Sequence, residues 1–218
     1  MFITFEGPDG SGKTTQIKAL YRHLRRRGFR TILTREPGGT SIGDQIRAVL
    51  HDVKNTDMQP NTEILLYSAS RAQLVGQVIR PALERGDIVL CDRYAESTLA
   101  YQGYGHGLDL NVLRIITHFA TGGLRPDLIV YLDISAEEGL RRKLAAFEAG
   151  KGELNRMDQH ELDFHRRVRE GYLKMATAEP DRWLVVDASQ PIQAVQRVIR
   201  EKVDAFLSGI KSGAGVRV

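Results

Sequence analysis

Short, almost wholly apolar runs alternate along the chain with longer segments in which apolar residues recur every three or four positions. The short runs are residues 2–5, 31–34, 88–91, 128–132 and 183–186. Runs of this length without polar alternation are typical of strands covered on both faces, whereas the longer segments have the period of a helix. The pattern therefore predicts an α/β fold, a five-stranded parallel sheet flanked by helices.

The helices are predicted from the spacing of apolar residues and from end signals. In the first helix Ile17, Leu20, Tyr21 and Leu24 share one face, and Gly28 is placed to end it. The other predicted helices are a segment ending at Leu50, residues 60–85 with a break before Pro81, residues 109–118, a segment capped by Ser135, residues 159–178 with His165, Val168, Tyr172 and Met175 on one face, and a last segment with Ile192, Val195, Ile199, Val203 and Phe206 inward.

Length and composition fit one domain. A chain of 218 residues with 42% hydrophobic residues is long enough for one substantial core. We expect residues 1–208 to form this domain. Residues 209–218, which are rich in glycine, are expected to form a flexible tail.

Charge and cysteine content restrict the partners and the compartment. The net charge is +4, but the cations are spread among acids, and the dense run 25–27 falls at a helix end where cations are favourable. We therefore expect no nucleic-acid partner. The apolar runs are far shorter than the ~20 residues of a membrane span, no leader precedes the first strand, and the single Cys91 fits a reducing compartment. These features predict a cytoplasmic protein that does not enter a membrane.

A glycine-rich loop after the first strand predicts a nucleotide. Residues 7–14 match the pattern G-x-x-x-x-G-K-[ST], with the sequence Gly7, Pro8, Asp9, Gly10, Ser11, Gly12, Lys13, Thr14. The glycines let backbone N–H groups converge on phosphate, Lys13 reaches the β- and γ-phosphates, and the Thr14 hydroxyl ligates Mg²⁺. The alternative is a plain turn between strand and helix. The position of the loop favours a nucleoside triphosphate.

Charged residues follow two other strands of the predicted sheet. Ligands of such sheets gather at the carboxyl ends of the strands, which places Arg35, Asp92 and Arg93 on the edge that carries the loop. Asp92 is suited to Mg²⁺, and the two guanidinium groups are suited to a second phosphate. The alternatives are structural ion pairs, Arg35 with Glu36 and Arg93 with Asp92. A second phosphate site indicates transfer between two phosphorylated molecules.

Four stretches in this order, residues 7–14 with an acid in the third position, 34–40, 66–71 and 92–102, resemble the thymidylate kinase family. The resemblance extends from residue 3 to about 190. It implies the three-layer fold of the P-loop nucleoside monophosphate kinases and phosphorylation of dTMP to dTDP by ATP with Mg²⁺, in dTTP biosynthesis. It also implies a homodimer formed through helices of the first half.

The resemblance implies roles for individual residues. Asp9 would bind the 3′-hydroxyl of dTMP, Arg35 and Arg93 its phosphate, and Tyr101 would lie against C2′. The base would be stacked by Tyr67 and contacted by Arg71, Thr98 and Gln102. ATP would be bound by the loop with Thr15, and its adenine flanked by Arg142 and residues 187–189. Residues 145–157 would form a lid with Lys151 and Arg156, which would act in catalysis with Lys13 and Arg93; Thr14 and Asp92 would hold the metal.

The chain departs from the family pattern at Tyr67, where phenylalanine is more usual, and in a longer lid. Taken singly, Tyr67 and Tyr101 also fit core positions and Asp9 a turn. Three other functions use the same loop: a kinase for another nucleotide or deoxynucleoside, a GTPase-like switch, and a nucleic-acid-binding ATPase. Residues 54–57 contain only a scrambled form of the guanine motif N-K-x-D.

Overall fold

The computed structural model describes residues 1–151, 157 and 160–213. Its sheet has five parallel strands in the order β2-β3-β1-β4-β5. They are β1 Phe2–Glu6, β2 Thr31–Arg35, β3 Ile88–Asp92, β4 Leu128–Asp133 and β5 Trp183–Asp187. All five predicted strands are confirmed, and each is one residue longer at its carboxyl end.

Helices cover both faces of this sheet. They are α1 Lys13–Arg26, α2 Ser41–His51, α3 Pro60–Leu74, α4 Arg80–Glu84, α5 Ala95–Thr98, α6 Leu110–Thr121, α7 Ala136–Glu148, α8 Leu162–Ala178 and α9 Ile192–Gly213. A π-helical segment, Val75–Ile79, joins α3 to α4, and a second one, Leu99–Gly105, continues α5. None of the described helices is long and apolar enough to cross a membrane.

The predicted break before Pro81 is wrong. The chain stays helical through Val75–Ile79, and Pro81 lies in the first turn of α4. The missing N–H of a proline costs little there, and the wider π-helical turn accommodates the ring.

The core forms on both faces of the sheet. On one face α1 and α9 pack against Ile3, Phe5 and Val130. On the other face one cluster joins the α3–α4 region to Phe2 and Val89, and another joins α8 to Ile129. The last helix buries Leu207, whereas Phe206, predicted to point inward, is half-buried.

The outer segments differ from the predicted boundaries. Helix α9 runs to Gly213, so residues 209–213 of the predicted tail are helical. Helix α7 runs to Glu148, so residues 145–148 of the predicted lid continue that helix. Arg156 and residues 214–218 lie outside the described residues.

Candidate active site

A cleft of about 1050 Å³ opens at the carboxyl ends of β1, β2 and β3. Most of the residues singled out from the sequence line it together. They are Asp9, Gly10, Gly12, Lys13, Thr14, Thr15, Arg35, Tyr67, Arg71, Asp92, Arg93, Thr98, Tyr101, Gln102, Arg142 and Lys151. Gly7, Pro8 and Ser11 belong to the loop without lining the cleft.

The phosphate loop is built by close backbone approaches. A Cβ on Gly10 would lie 2.0 Å from the carbonyl oxygen of Gly139 on α7, and Gly10 has a φ of +79°. A Cβ on Gly7 would lie 2.6 Å from the carbonyl oxygen of Leu132. Any residue with a Cβ atom at Gly7 or Gly10 would therefore push the loop away from β4 or α7. The loop leads directly into α1, whose N-terminus attracts anions.

Lys13 folds back over this loop. Its Nζ donates to the carbonyl oxygens of Gly7 at 2.9 Å and Pro8 at 2.8 Å. Burial, together with the nearby Arg93, lowers the pKa of Lys13 to about 8, although Asp9 opposes this shift. Because its Nζ lies against the loop backbone, the amine of Lys13 is placed where the loop motif binds the phosphates of a nucleotide.

Thr14 and Asp92 meet at the start of α1. The Thr14 hydroxyl donates to Asp92 Oδ2 at 3.0 Å. A hydroxyl and a carboxylate are hard oxygen ligands, and Mg²⁺ is commonly bound by one or two such groups plus substrate phosphates. The two residues therefore fit the role in metal binding predicted from the sequence.

Asp9 is the centre of a charged cluster. Its Oδ1 is paired with Arg93, and its Oδ2 accepts a hydrogen bond of 2.7 Å from Lys143 Nζ. Burial alone would raise the pKa of Asp9, but Arg93, Lys13 and Lys143 outweigh it and hold the pKa well below its usual value. Asp9 is therefore an ionised acceptor inside the cleft.

Arg93 has a left-handed backbone with a φ of +70°, which turns the chain into the cleft directly after β3. Its Nη2 donates to the Tyr101 hydroxyl at 3.1 Å, and its guanidinium carbon lies 4.9 Å from the centre of the Tyr101 ring. The alternative pairing of Arg93 with Asp92 is wrong, because the carboxylate partner is Asp9.

The alternative pairing of Arg35 with Glu36 is also wrong. Its Nη2 lies 3.0 Å from Asp44 Oδ1, and about half of each side chain is exposed. Glu36 points into the protein and pairs with Arg71 at 2.7 Å. Burial raises the pKa of Glu36 to about 7, although Arg71 lowers it.

Arg71 is held rigidly at the floor of the cleft. Besides Glu36, its Nη1 donates to Thr98 Oγ1 and its Nη2 to the carbonyl oxygen of Tyr94, both at 3.0 Å. The side chain is 2% exposed. Arg71 and Thr98 are thus brought together at the floor of the cleft, and their contact with the base stays a prediction.

Arg142 ties helix α7 to the loop after β5. Its Nη1 donates to the carbonyl oxygen of Ala188 at 2.9 Å, and its Nε to Glu138 Oε1 at 2.7 Å. The two segments assigned to the adenine are therefore in direct contact.

Sequence reasoning missed several cleft residues, among them Lys18, Arg47, His51 and Lys143. Lys143 carried one signal: it lies one helical turn after Gly139, on the same face of α7. A Cβ on Gly139 would lie 2.8 Å from the carbonyl oxygen of Asp9. A glycine inside a predicted helix indicates such a close approach, and Lys143 lies beside it.

Comparison with known proteins identifies the family. The thymidylate kinase family model matches residues 5–199. The thymidylate kinase of Roseiflexus sp. (strain RS-1) is 56% identical over 217 residues, with 96% of each chain covered. That of Deinococcus radiodurans is 54% identical over 88% of this chain and 90% of its own. The crystal structure of thymidylate kinase from Ehrlichia chaffeensis, 32% identical, superimposes with a TM-score of 0.69 over 85% of this chain and 91% of its own. The chain therefore belongs to the thymidylate kinase family, ATP-dependent nucleoside monophosphate kinases that phosphorylate dTMP to dTDP.

Proposed function

We propose that this chain transfers the γ-phosphoryl group of ATP to dTMP in the described cleft. The observation that carries the proposal is the presence of two separate cationic sites in one cleft. One is the loop with Lys13, and the other is formed by Arg35 and Arg93. An enzyme that only hydrolyses a nucleoside triphosphate has no use for the second site. Two phosphates bound face to face are the arrangement that phosphoryl transfer requires.

On the acceptor side, Arg35 and Arg93 bind the phosphate of dTMP and Asp9 accepts a hydrogen bond from its 3′-hydroxyl. Tyr101, which is buried and packed edge-on against Tyr172, forms a wall against C2′. Tyr67 stacks on the thymine. The base edge meets three polar side chains at the floor of the cleft: Arg71, Thr98 and Gln102.

On the donor side, the loop residues with Lys13 and Thr15 bind the phosphates of ATP. Arg142 and the Ala188 backbone flank the adenine. Thr14 and Asp92 hold Mg²⁺, which when bound neutralises charge on the transferring phosphates. Since a phosphate monoester is mostly a dianion near neutral pH, no general base is needed, and catalysis consists of positioning and charge stabilisation by Lys13 and Arg93.

The predicted lid supplies further cations in this proposal. Lys151 lines the cleft, and Arg156 lies outside the described residues. Arginine suits the transferring group because its planar fork bridges two oxygens. We expect Arg156→Ala to lower kcat by about 10²-fold or more with little change in dTMP affinity. A loss confined to Lys151→Ala would assign this role to Lys151, and no loss in either variant would refute lid catalysis.

We also propose a homodimer. The face of α6 formed by Val112, Ile115 and Phe119 is exposed, Phe119 to 88%, and Leu65 is exposed on the adjoining helix α3. An apolar surface of this kind is typical of a subunit interface. Sedimentation of the wild type and of Phe119→Asp tests it: the expected result is a dimer that the substitution dissociates, and a wild-type monomer at all concentrations would contradict it.

A panel of acceptors tests the proposed activity. ADP formation is measured with dTMP, dUMP, dCMP, dGMP and AMP at fixed ATP and Mg²⁺. We expect the highest kcat/KM with dTMP. A higher value with another acceptor would assign a different substrate, and acceptor-independent hydrolysis that DNA stimulates would refute the kinase.

A further inference from the structure

The side-chain amide of Gln102 has a fixed orientation at the floor of the cleft. Its Nε2 donates to Glu63 Oε1 at 2.6 Å, and both residues are 2% exposed. Carboxylate oxygens only accept hydrogen bonds, so the NH₂ group of the amide must face Glu63. The amide oxygen of Gln102 is consequently turned away from Glu63.

This oxygen is available to a ligand. Gln102 lines the cleft, and its Oε1 accepts no hydrogen bond from any residue within the described part of the chain. It is also absent from the buried polar atoms that lack a partner among those residues, so it is not sealed in the core. The amide therefore offers the cleft an acceptor.

A second polar group lies beside Glu63. His106 Nε2 lies 3.8 Å from the same Oε1 atom of Glu63. Glu63 belongs to α3, whereas Gln102 lies in the middle of the π-helical segment Leu99–Gly105 and His106 directly follows that segment. The carboxylate thus connects two elements that form one wall of the cleft.

The neighbouring polar groups have the opposite character. Thr98 lies four residues before Gln102 on a continuous helical segment, so the two side chains share a face. Thr98 Oγ1 accepts a hydrogen bond from Arg71 Nη1 at 3.0 Å, which leaves the O–H of Thr98 to act as a donor. The floor of the cleft therefore presents donors beside the acceptor of Gln102.

We propose that Glu63 is a positioning residue that locks the Gln102 amide with its oxygen toward the base, and thereby selects thymine against cytosine. This inference rests on the proposed function, in which Gln102 contacts the base. Thymine presents an N3–H donor and an O4 acceptor, which match the Gln102 oxygen and the adjacent donors. Cytosine reverses both groups, so that acceptor would face acceptor and donor would face donor.

The locked orientation determines how large the discrimination is. A freely rotating amide could turn its NH₂ group toward N3 of cytosine and recover a hydrogen bond. With Glu63 in place, that rotation would set the amide oxygen against a carboxylate oxygen. A site that leaves buried polar groups unpaired rejects the wrong ligand far more strongly than a site that adapts.

Glu63→Gln tests the proposal, because an amide can either accept from or donate to the Gln102 side chain. We expect the ratio of kcat/KM for dTMP to that for dCMP to fall about tenfold, mainly through a lower KM for dCMP. In Glu63→Gln the Gln102 amide can rotate and pair with N3 of cytosine, so one polar group that is unpaired in the wild-type complex gains a partner. Where dCMP turnover is too slow, its Ki as a competitive inhibitor is measured. The ratio for dTMP to dUMP is the matched control and should not change, since uracil has the same N3–H and O4 groups.

A merely structural role of Glu63 would lower the activity on all three nucleotides equally and leave both ratios unchanged, which would overturn the proposal. Should Glu63→Gln fail to fold, Glu63→Ala removes the acceptor without adding a donor, and the same fall in the dTMP-to-dCMP ratio is expected.

Gln102→Leu separates this proposal from the function on which it rests. If Gln102→Leu leaves the dTMP-to-dCMP ratio unchanged, Gln102 does not read the base, and that part of the proposed function fails. If Gln102→Leu changes the ratio but Glu63→Gln does not, only the positioning role fails. In the double variant Glu63→Gln should have no further effect on the ratio, and an additive effect would show that Glu63 acts by another route.

Discussion

Replacement of Lys143 by methionine should weaken the use of dTMP while leaving the affinity for ATP nearly unchanged. The Nζ atom of Lys143 donates to Asp9 Oδ2 at 2.7 Å, and the lysine side chain is 14% exposed. Asp9 is the proposed acceptor for the 3′-hydroxyl of dTMP. Without Lys143 this carboxylate loses one of the two hydrogen-bond donors that it has among the described residues.

The magnitude follows from what Asp9 retains. A hydrogen bond to a charged group contributes about 1.5–3 kcal/mol to stability. In the variant Arg93 stays paired with Asp9, Lys13 Nζ lies 3.7 Å from Asp9 Oδ1, and the carboxylate is 29% exposed. We therefore expect the loss of binding free energy to lie at or below the lower limit of this range. About 1–1.5 kcal/mol corresponds to a five- to thirteenfold fall in kcat/KM for dTMP.

The assay is steady-state ADP formation with dTMP varied at saturating ATP, and then with ATP varied at saturating dTMP. Lys18→Met is the matched control, because Lys18 also lines the cleft but is exposed on α1. A double-mutant cycle with Asp9→Asn should give a coupling of about 1 kcal/mol or more. The same loss from Lys143→Met in the Asp9→Asn background, or a raised KM for ATP with dTMP unaffected, would refute the reasoning and assign Lys143 to the donor phosphates.

Three further predictions concern other residues. Lys13→Met should abolish phosphoryl transfer without unfolding the chain, as checked by turnover and circular dichroism; near wild-type turnover would remove the loop assignment. Tyr101→Ala should narrow the preference for dTMP over ribothymidylate, because an aromatic wall leaves no room for a 2′-hydroxyl; an unchanged ratio would mean that Tyr101 is structural. Burial raises the pKa of Glu6 to about 7 from 4.5, so its contribution to stability is full below pH 4.5 and is lost as pH rises through 7, on the order of 3 kcal/mol. Glu6→Gln should therefore flatten the fall in the free energy of unfolding between pH 5 and 8, measured in urea, and an equal slope in both proteins would contradict this.

The strands and the phosphate loop could be predicted because their signals are local. Each strand is a run of apolar residues whose burial requires no knowledge of the partner strand, and the loop needs glycines at fixed offsets. The helix through Pro81 was mispredicted because a π-helical turn depends on packing and leaves no local mark. The end of α9 was also mispredicted, because a composition rich in glycine indicates a tail, whereas the helix continues to Gly213.

The ion pairs of the cleft could not be predicted, because they connect distant parts of the chain. Arg35 and Glu36 are adjacent, but successive side chains of an extended segment point to opposite sides. Glu36 therefore enters the core to meet Arg71, and Arg35 turns outward to Asp44. Asp9 meets Arg93 and Lys143 only because β1, β3 and α7 converge, which no spacing in the sequence records.

These pairs determine how the phosphate of dTMP can be bound. A phosphate that approaches Arg35 competes with Asp44 in a pair about half exposed to solvent, and such pairs contribute about 1 kcal/mol or less. Arg93 is more firmly engaged, since its Nη2 donates to both Asp9 and Tyr101. Among the described residues its Nη1 has only a long contact of 3.4 Å, with Ser97. The least costly exchange is therefore one in which Arg35 leaves Asp44 for the phosphate and Arg93 offers Nη1 while its Nη2 keeps Asp9. In that arrangement Asp9, the proposed partner of the sugar hydroxyl, keeps its pair with Arg93 when the phosphate binds. The guanidinium of Arg93 then contacts both Asp9 and the phosphate, and so couples the position of the sugar to that of the phosphate.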